Sequence, residues 1–378
     1  MPRARKLEDR TDRKTKKKVI RWKSMKQIFV GLDVHKKTIQ MSVMDKDGNE
    51  LLNKSIPNTP NSISEAFGGF PEKTRMVIES SSVWKAPFFQ LRDSMGFDVI
   101  LSNPYTTKLI AKSKKKTDKI DARILADLDR GNYIIESHVP SQKSMDNRDL
   151  TRFRRTLSLS RASYKNSIHG ILLQKSIQPK HRPFTQPWMG QVRALGDYRI
   201  DSYLNMISHA TDNILKADSR IRATAKDDEY AQLLKTIPGI GDYFALVISS
   251  GIDDIDRFLN SKSLCAYAGI VPAVRASADK VAYGHITHQG SDILRWALVQ
   301  ATLIHVRCCK KSDLTKFYNR IRKKRGFSIA VVAAGSKMLR MIYWILKEKR
   351  KFVLNYSQDV SCVDHVGGEP RLCNCGHS

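Results

Sequence analysis

Acidic charge is scarce in this chain. Its 378 residues hold 37 Asp plus Glu against 66 Lys plus Arg, a net charge of +29. A surplus that large repels itself in a compact state, so an anionic partner is expected. Nucleic acid fits best, because Lys and Arg release counterions from phosphates on binding. Long apolar runs are also missing. No segment approaches the ~20 apolar residues of a membrane span, so no membrane partner is expected. The N-terminus is basic but leads into no apolar stretch, so no secretory signal is expected. Cysteine is sparse. Cys265, Cys308, Cys309, Cys362, Cys373 and Cys375 form no spaced disulfide framework, which points to a reducing cytoplasm. What is present is a hydrophobic fraction of 41%, which excludes wholesale disorder. The length allows two or three domains.

Residues 1–25 read as a disordered basic arm, since the first 26 residues carry twelve Lys or Arg and three acids. From Lys26 the hydrophobic period is two. Residues 27–33 read as a buried strand, 38–44 as a second, 50–56 as a third, 75–79 as a fourth and 97–101 as a fifth. Helices are expected over 61–67, capped by Asn61 or Ser62, over 84–95, ended by Gly96, and from Pro104 to about Asp129. Strands followed by crossover helices make residues 26–140 an α/β domain. From Met145 the period becomes helical. Leu150, Phe153, Leu157, Tyr164, Ile168 and Ile171 form one stripe. Ile200, Tyr203 or Leu204, Ile207, Ile214 and Ile221 form another, with Pro179, Pro183 and Pro187 between them. Residues 145–230 therefore read as a long helical hairpin or coiled coil. A mainly helical domain is expected over 232–354, and a tail of weak periodicity over 355–378. No internal repeat is evident.

Four carboxylates stand out. Asp33 ends an otherwise apolar strand, where an unpaired charge faces a steep desolvation cost. Glu79 ends the fourth strand. Asp118 and Asp121, three apart, share one helix face, and Thr117 is placed to cap that helix. Acids in a first turn are favoured by the helix dipole. Hard oxygen ligands suit magnesium or manganese. Two such ions can bracket a scissile phosphate. Each acid alone has a plain reading, as a strand-end turn residue or a solvated helix acid; four on three elements are hard to attribute to accident. Lys114, Lys115, Lys116 and Lys119 put a phosphate-seeking basic run beside them.

Two further signals lie downstream. Ile237-Pro238-Gly239-Ile240-Gly241 precedes an apolar helix. Gly239 and Gly241 would let backbone N–H groups approach a phosphate, although a plain tight turn has the same composition. Residues 267–277 then read as a loop holding one candidate nucleophile, Ser277. A serine needs a base or cationic surroundings to attack. Arg275, Lys280, His285 and His288 are near it in sequence.

These residues resemble the IS110 family of insertion-sequence transposases, which includes the IS1111 branch and is also called the bridge-RNA-guided recombinases. The likeness covers residues 26–352. Gly31-Leu32-Asp33-Val34-His35-Lys36, Ile78-Glu79-Ser80 and Lys116-Thr117-Asp118-Lys119-Ile120-Asp121-Ala122 match the family's Asp-Glu-Asp-Asp motifs. Pro238 to Gly241, Gly269 to Pro272 and Ile286 to Gly290 match its C-terminal blocks, and the family serine falls on Ser277. The sequence departs at Ala278, where glycine is usual, and at His288, where a basic residue is usual. The resemblance implies a RuvC-like (RNase H-like) N-terminal domain whose Asp33, Glu79, Asp118 and Asp121 bind magnesium or manganese. It implies that Ser277 forms a covalent bond to DNA. Arg275, Gly239 and Gly241 are expected among the nucleic-acid contacts. Expected partners are element-end and target DNA, a structured guide RNA and copies of the chain in a dimer or tetramer, in a bacterial or archaeal cytoplasm at the nucleoid. Two alternatives remain open: a Holliday-junction-type nuclease without serine chemistry, and an inactive nucleic-acid-binding remnant. Cys362, Cys373, Cys375 and His377 in the tail match no standard zinc spacing.

Overall fold

The computed structural model describes residues 27–110, 117–277, 280–286 and 290–354, with the backbone alone over 272–277 and 280–285. The basic arm, Lys114 to Lys116, His288 and the tail with its Cys/His group lie outside the described residues. The chain divides into two compact units, Met1–Val139 and Pro140–Ser378.

The first unit runs β1 (Ile28–Val34), β2 (Thr38–Asp45), β3 (Glu50–Pro57), α1 (Pro60–Phe67), β4 (Arg75–Glu79), α2 (Lys85–Phe89), β5 (Asp98–Ser102), α3 (Pro104–Ile110) and α4 (Asp118–Arg130). The strands form one sheet in the order β3-β2-β1-β4-β5. β1, β2 and β3 are an antiparallel meander, while β1, β4 and β5 run parallel. This is the expected α/β start. Several boundaries differ from expectation. Thr59, not Asn61 or Ser62, caps α1: its hydroxyl accepts from the Ser62 N–H, and Pro60 takes the first helical position, where a missing N–H costs nothing. The helix expected over 84–95 is five residues of α-helix and then a π turn over Gln90–Ser94. The helix expected from Pro104 to Asp129 is interrupted at Thr117, whose backbone is extended and whose side chain caps a fresh helix, α4; residues 111–116 lie outside the described residues.

The two sheet faces differ in chemistry. Val30, Leu32, Ile39, Met41, Met76, Ile78, Val99 and Leu101 form one apolar face under Phe67, Phe88 and Leu91. α4 covers the other, lying across β1, β2 and β4. Side chains alternate along a strand, so Gly31 and Asp33 share the α4 face. Gly31 is what lets α4 settle there. A Cβ on it would stand 2.1 Å from the Ala122 carbonyl and 2.5 Å from the Ala126 nitrogen. Gly31→Ala is expected to lower the unfolding free energy by at least ~1–3 kcal/mol, the usual cost of overpacking, read by urea denaturation.

The second unit runs α5 (Gln142–Gln174), α6 (Gln186–Arg193), α7 (Tyr198–Lys226), α8 (Glu229–Lys235), α9 (Asp242–Ile252), α10 (Ser261–Tyr267), β6 (Pro272–Ser277), β7 (Lys280–Ile286), α11 (Asp292–Cys308), α12 (Asp313–Arg325) and α13 (Phe327–Lys347). The long helices α5 and α7 pack on one another. α7 buries Ile200, Leu204, Ile207, Ile214 and Ile221, the expected stripe. α5 does not bury all of its own stripe: Ile168 and Ile171 are covered, but Phe153 is 54% exposed. The reason is local. Around Phe153, α5 faces its neighbours with Arg154, which pairs with Asp218, and Arg155, which lies over the Trp296 ring. Residues 272–277, part of the stretch read from sequence as a loop, instead pair antiparallel with residues 280–286. One further expectation is corrected. α13 is long and apolar enough to cross a membrane by length and composition. Ala330, Ala334, Met338, Leu339 and Ile342 are buried in the core of this unit, so packing within the unit accounts for that apolar length.

Candidate functional site

The acids converge because of sheet parity and one helix. Asp33 follows Gly31 by two residues, so it faces α4 near the strand's carboxyl end. Val77 faces α4 through Leu125, and Glu79 lies two residues further on. β1 and β4 are parallel with Leu32 opposite Ile78, so Glu79 lies level with Asp33 on the adjacent strand, about 4.8 Å away across the ladder. α4 enters from above. Thr117 accepts from the Ile120 N–H, and Asp118 and Asp121 sit in the first turn. A polar strut holds that entry. Gln40, opposite Asp33, donates to Asn53 at 2.5 Å, and Asn53 donates to the Lys119 carbonyl at 3.1 Å.

The contacts at the centre are short. Asp33 is buried, and its carboxylate accepts from His35 Nε2 at 3.0 Å. The same nitrogen lies 3.4 Å from an Asp118 carboxylate oxygen. Asp33, His35 and Asp118 each bring a ligand atom within 4.8 Å of the others. Burial pushes the Asp33 carboxyl above its usual range; His35 opposes this, while Asp118 and Asp121 add repulsion that raises it further. Asp121 is thus close enough to act electrostatically on Asp33 without joining the tight trio. Glu79 is outside that trio as well. Beside it, across the β4–β5 ladder, stands Ser102, fully buried, with a hydroxyl that has no hydrogen-bond partner among the described residues. An orphaned hydroxyl and a crowd of carboxylates both fit a hard cation.

His35 is not among the residues the sequence singles out, although the signal is there. Asp-x-His along an extended strand puts both side chains on one side. Lys119 is exposed between the two α4 acids, on the turn that carries them.

In the second unit the Pro238–Gly241 turn has a structural use. Gly239 has φ +97°, and a Cβ there would lie 2.7 Å from the His305 nitrogen. The Pro238 carbonyl meets His305 Nδ1 at 2.8 Å, so this loop is seated on α11. Gly241 is different: it begins α9 with no side-chain cap and has open space where a Cβ would be. Asp242 follows it and pairs with Lys235 at 2.6 Å. Ser277 pairs with Lys280 in the last rung of the β6–β7 hairpin, and Arg275 lies two residues earlier on the same strand. Their side chains are outside the described residues.

Two family models match this chain. A DEDD transposase model of the IS110 type covers residues 30–177. A model described as the transposase IS116/IS110/IS902 family covers residues 231–319. The chain belongs to the IS110 family of transposases. The first match spans all four acids of the sheet and α4, and the second spans the hairpin with Ser277. The transposase is similar along most of its length to named relatives. It is 25% identical to the transposase for insertion sequence element IS1111A of Coxiella burnetii, over 88% of this chain and 93% of the relative. It is 24% identical to the IS1328 transposase of Yersinia enterocolitica, over 84% and 96%. A pilin gene-inverting protein of Moraxella bovis is 25% identical over 87% and 98%. The chain is a DNA transposase or recombinase on these grounds, and its family together with the Asp33, His35 and Asp118 cluster suggests divalent-metal use.

Proposed function

We propose that this transposase cuts and rejoins DNA by a composite chemistry: Asp33, Glu79, Asp118 and Asp121 hold magnesium or manganese at a phosphodiester, and Ser277 attacks it. The convergence of the four acids on one face, at the carboxyl ends of β1 and β4 and the start of α4, carries the reading. The ions, when bound, would supply charge neutralisation at the phosphate. The chain's own residues do the rest. The Asn53 strut keeps the first turn of α4 over Asp33. His35 holds Asp33 and Asp118 together by donating between them. The serine oxygen forms a bond to phosphorus as the bond to a deoxyribose oxygen breaks; the hydroxyl proton leaves to a nearby base, and the departing oxygen takes one up. One phosphodiester replaces another, so rejoining to a new DNA end needs no outside energy source.

A structured guide RNA and a homo-oligomer, dimer or tetramer, complete the proposal. The charge of +29 exceeds what a short DNA contact uses. Exposed apolar side chains on the long helices, Phe153 and Leu159 on α5 and Leu215 on α7, support a further copy against them, coiled-coil fashion. Wild-type protein, mixed with element-end DNA and a divalent ion, is expected to give an adduct that survives denaturing detergent, and to purify with an element-derived RNA. Cleavage to free ends with no adduct would favour the resolvase-type nuclease, for which the acids of the first unit suffice. Tight binding with no cleavage at all would favour the inactive remnant.

A further inference from the structure

The thirty-four residues from Leu314 to Lys347 contain no Asp or Glu and nine Lys or Arg. Four of these, Arg322, Lys323, Lys324 and Arg325, are consecutive and form the last turn of α12. None of the four pairs with a carboxylate among the described residues, and all are exposed. The α12 dipole favours a cation at this end, but not four that repel each other. Gly326 then turns the chain with φ +82° and starts α13. That 21-residue helix has no side-chain cap and no acid in its first turn, so its leading N–H groups face outward beside the four cations. Phe327 and Ile329, in the same first turn, are 51% and 52% exposed.

Three independent features therefore meet at one corner: unpaired cations, an uncapped helix N-terminus and an uncovered aromatic ring. Phosphates answer the first two. A duplex leaves no base face for the third, whereas an unpaired nucleotide can stack on it. We propose that the corner formed by the end of α12, Gly326 and the start of α13 binds a single-stranded stretch of nucleic acid, with phosphates on Arg322 to Arg325 and an unstacked base on Phe327. The site builds on the reading of the chain as an enzyme of DNA, and it is distinct from the acids and from Ser277. The chemistry recognised, a phosphodiester strand with free bases, is common to a DNA strand opened during exchange and to a loop of RNA.

The test is fluorescence anisotropy with three labelled probes of one sequence: single-stranded DNA, single-stranded RNA and duplex DNA. Full-length protein is used in EDTA, where no strand chemistry runs, so a failure of the acid-site reading leaves the outcome untouched. Replacing all four cations with glutamine (R322Q, K323Q, K324Q, R325Q) should weaken both single strands and flatten the salt dependence by about 0.7 for each phosphate no longer neutralised. Phe327→Ala should weaken single strands by about 5- to 100-fold and leave the duplex within roughly twofold, the size of one missing base stack. A stronger effect on the RNA probe assigns the site to a guide, and a stronger effect on the DNA probe assigns it to the opened substrate strand. Unchanged single-strand binding in the glutamine variant, with an unchanged circular-dichroism melt, overturns the proposal. So does an equal loss of duplex and single-strand binding in Phe327→Ala.

Discussion

Asp33→Asn is expected to melt higher than the wild type in metal-free buffer and to cleave no DNA. The first half follows from the sign of the Asp33 titration. Burial, with help from Asp118 and Asp121, holds its carboxyl above the usual range in the folded state. An acid with a raised folded value favours folding when protonated, and that contribution is lost as pH rises from the unfolded value through the folded one. At neutral pH the ionised Asp33 therefore costs stability. An amide of the same shape removes the charge and keeps an oxygen for His35. A rise of about 2–4 °C would correspond to roughly 1 kcal/mol for a protein unit of this size. The second half follows from the donor set. Replacing the partner of a metal ligand commonly costs about 10–100-fold, and losing a central ligand costs more. Differential scanning fluorimetry with and without manganese separates the two effects. Manganese should stabilise the wild type and leave Asp33→Asn unmoved. An amide variant that melts lower without metal, or that keeps its manganese shift, would remove the acids from this role.

Ser277→Ala is expected to abolish the covalent adduct and strand exchange while the protein folds as before. Ser277 closes a hairpin at its last rung, and a small residue there is tolerated, usually within about 0.5 kcal/mol. Removing a nucleophile lowers turnover by on the order of 10⁴ or more. Ser277→Cys keeps an attacking atom and should recover part of the adduct. Denaturing gels of labelled element-end DNA read all three proteins side by side. Retention of cleavage in Ser277→Ala, together with its loss in Asp33→Asn, would make the enzyme a water-using nuclease.

Parts of this molecule are legible from its residues. Short apolar stretches separated by turn and helix signals locate all five strands of the sheet, because its central strands are buried on both faces. Thr117 before Asp118-Lys119-Ile120-Asp121 locates the start of α4, because capping chemistry is local. Caps elsewhere are harder to place. Thr59 lies just outside the apolar pattern that marks α1, and only backbone geometry distinguishes it from Asn61. The β6–β7 hairpin escapes a reading of the residues because Pro272-Ala273-Val274-Arg275-Ala276-Ser277 has one strong strand former, and pairing with residues 280–286 makes the strand. His35 escapes it because a histidine beside an acid is common; its 3.4 Å approach to Asp118 depends on a helix more than eighty positions away.

The sequence by itself pointed to the class of partner, through its net charge, and singled out the four acids as candidates, through types and spacings that follow from local chemistry. Tertiary structure decided what those acids do to one another. Asp33 is perturbed because Gly31 allows α4 to lie on β1, which strips water from one carboxylate and brings two more beside it. Close packing across distant segments sets desolvation and charge proximity, and neither quantity is written in any single stretch of chain.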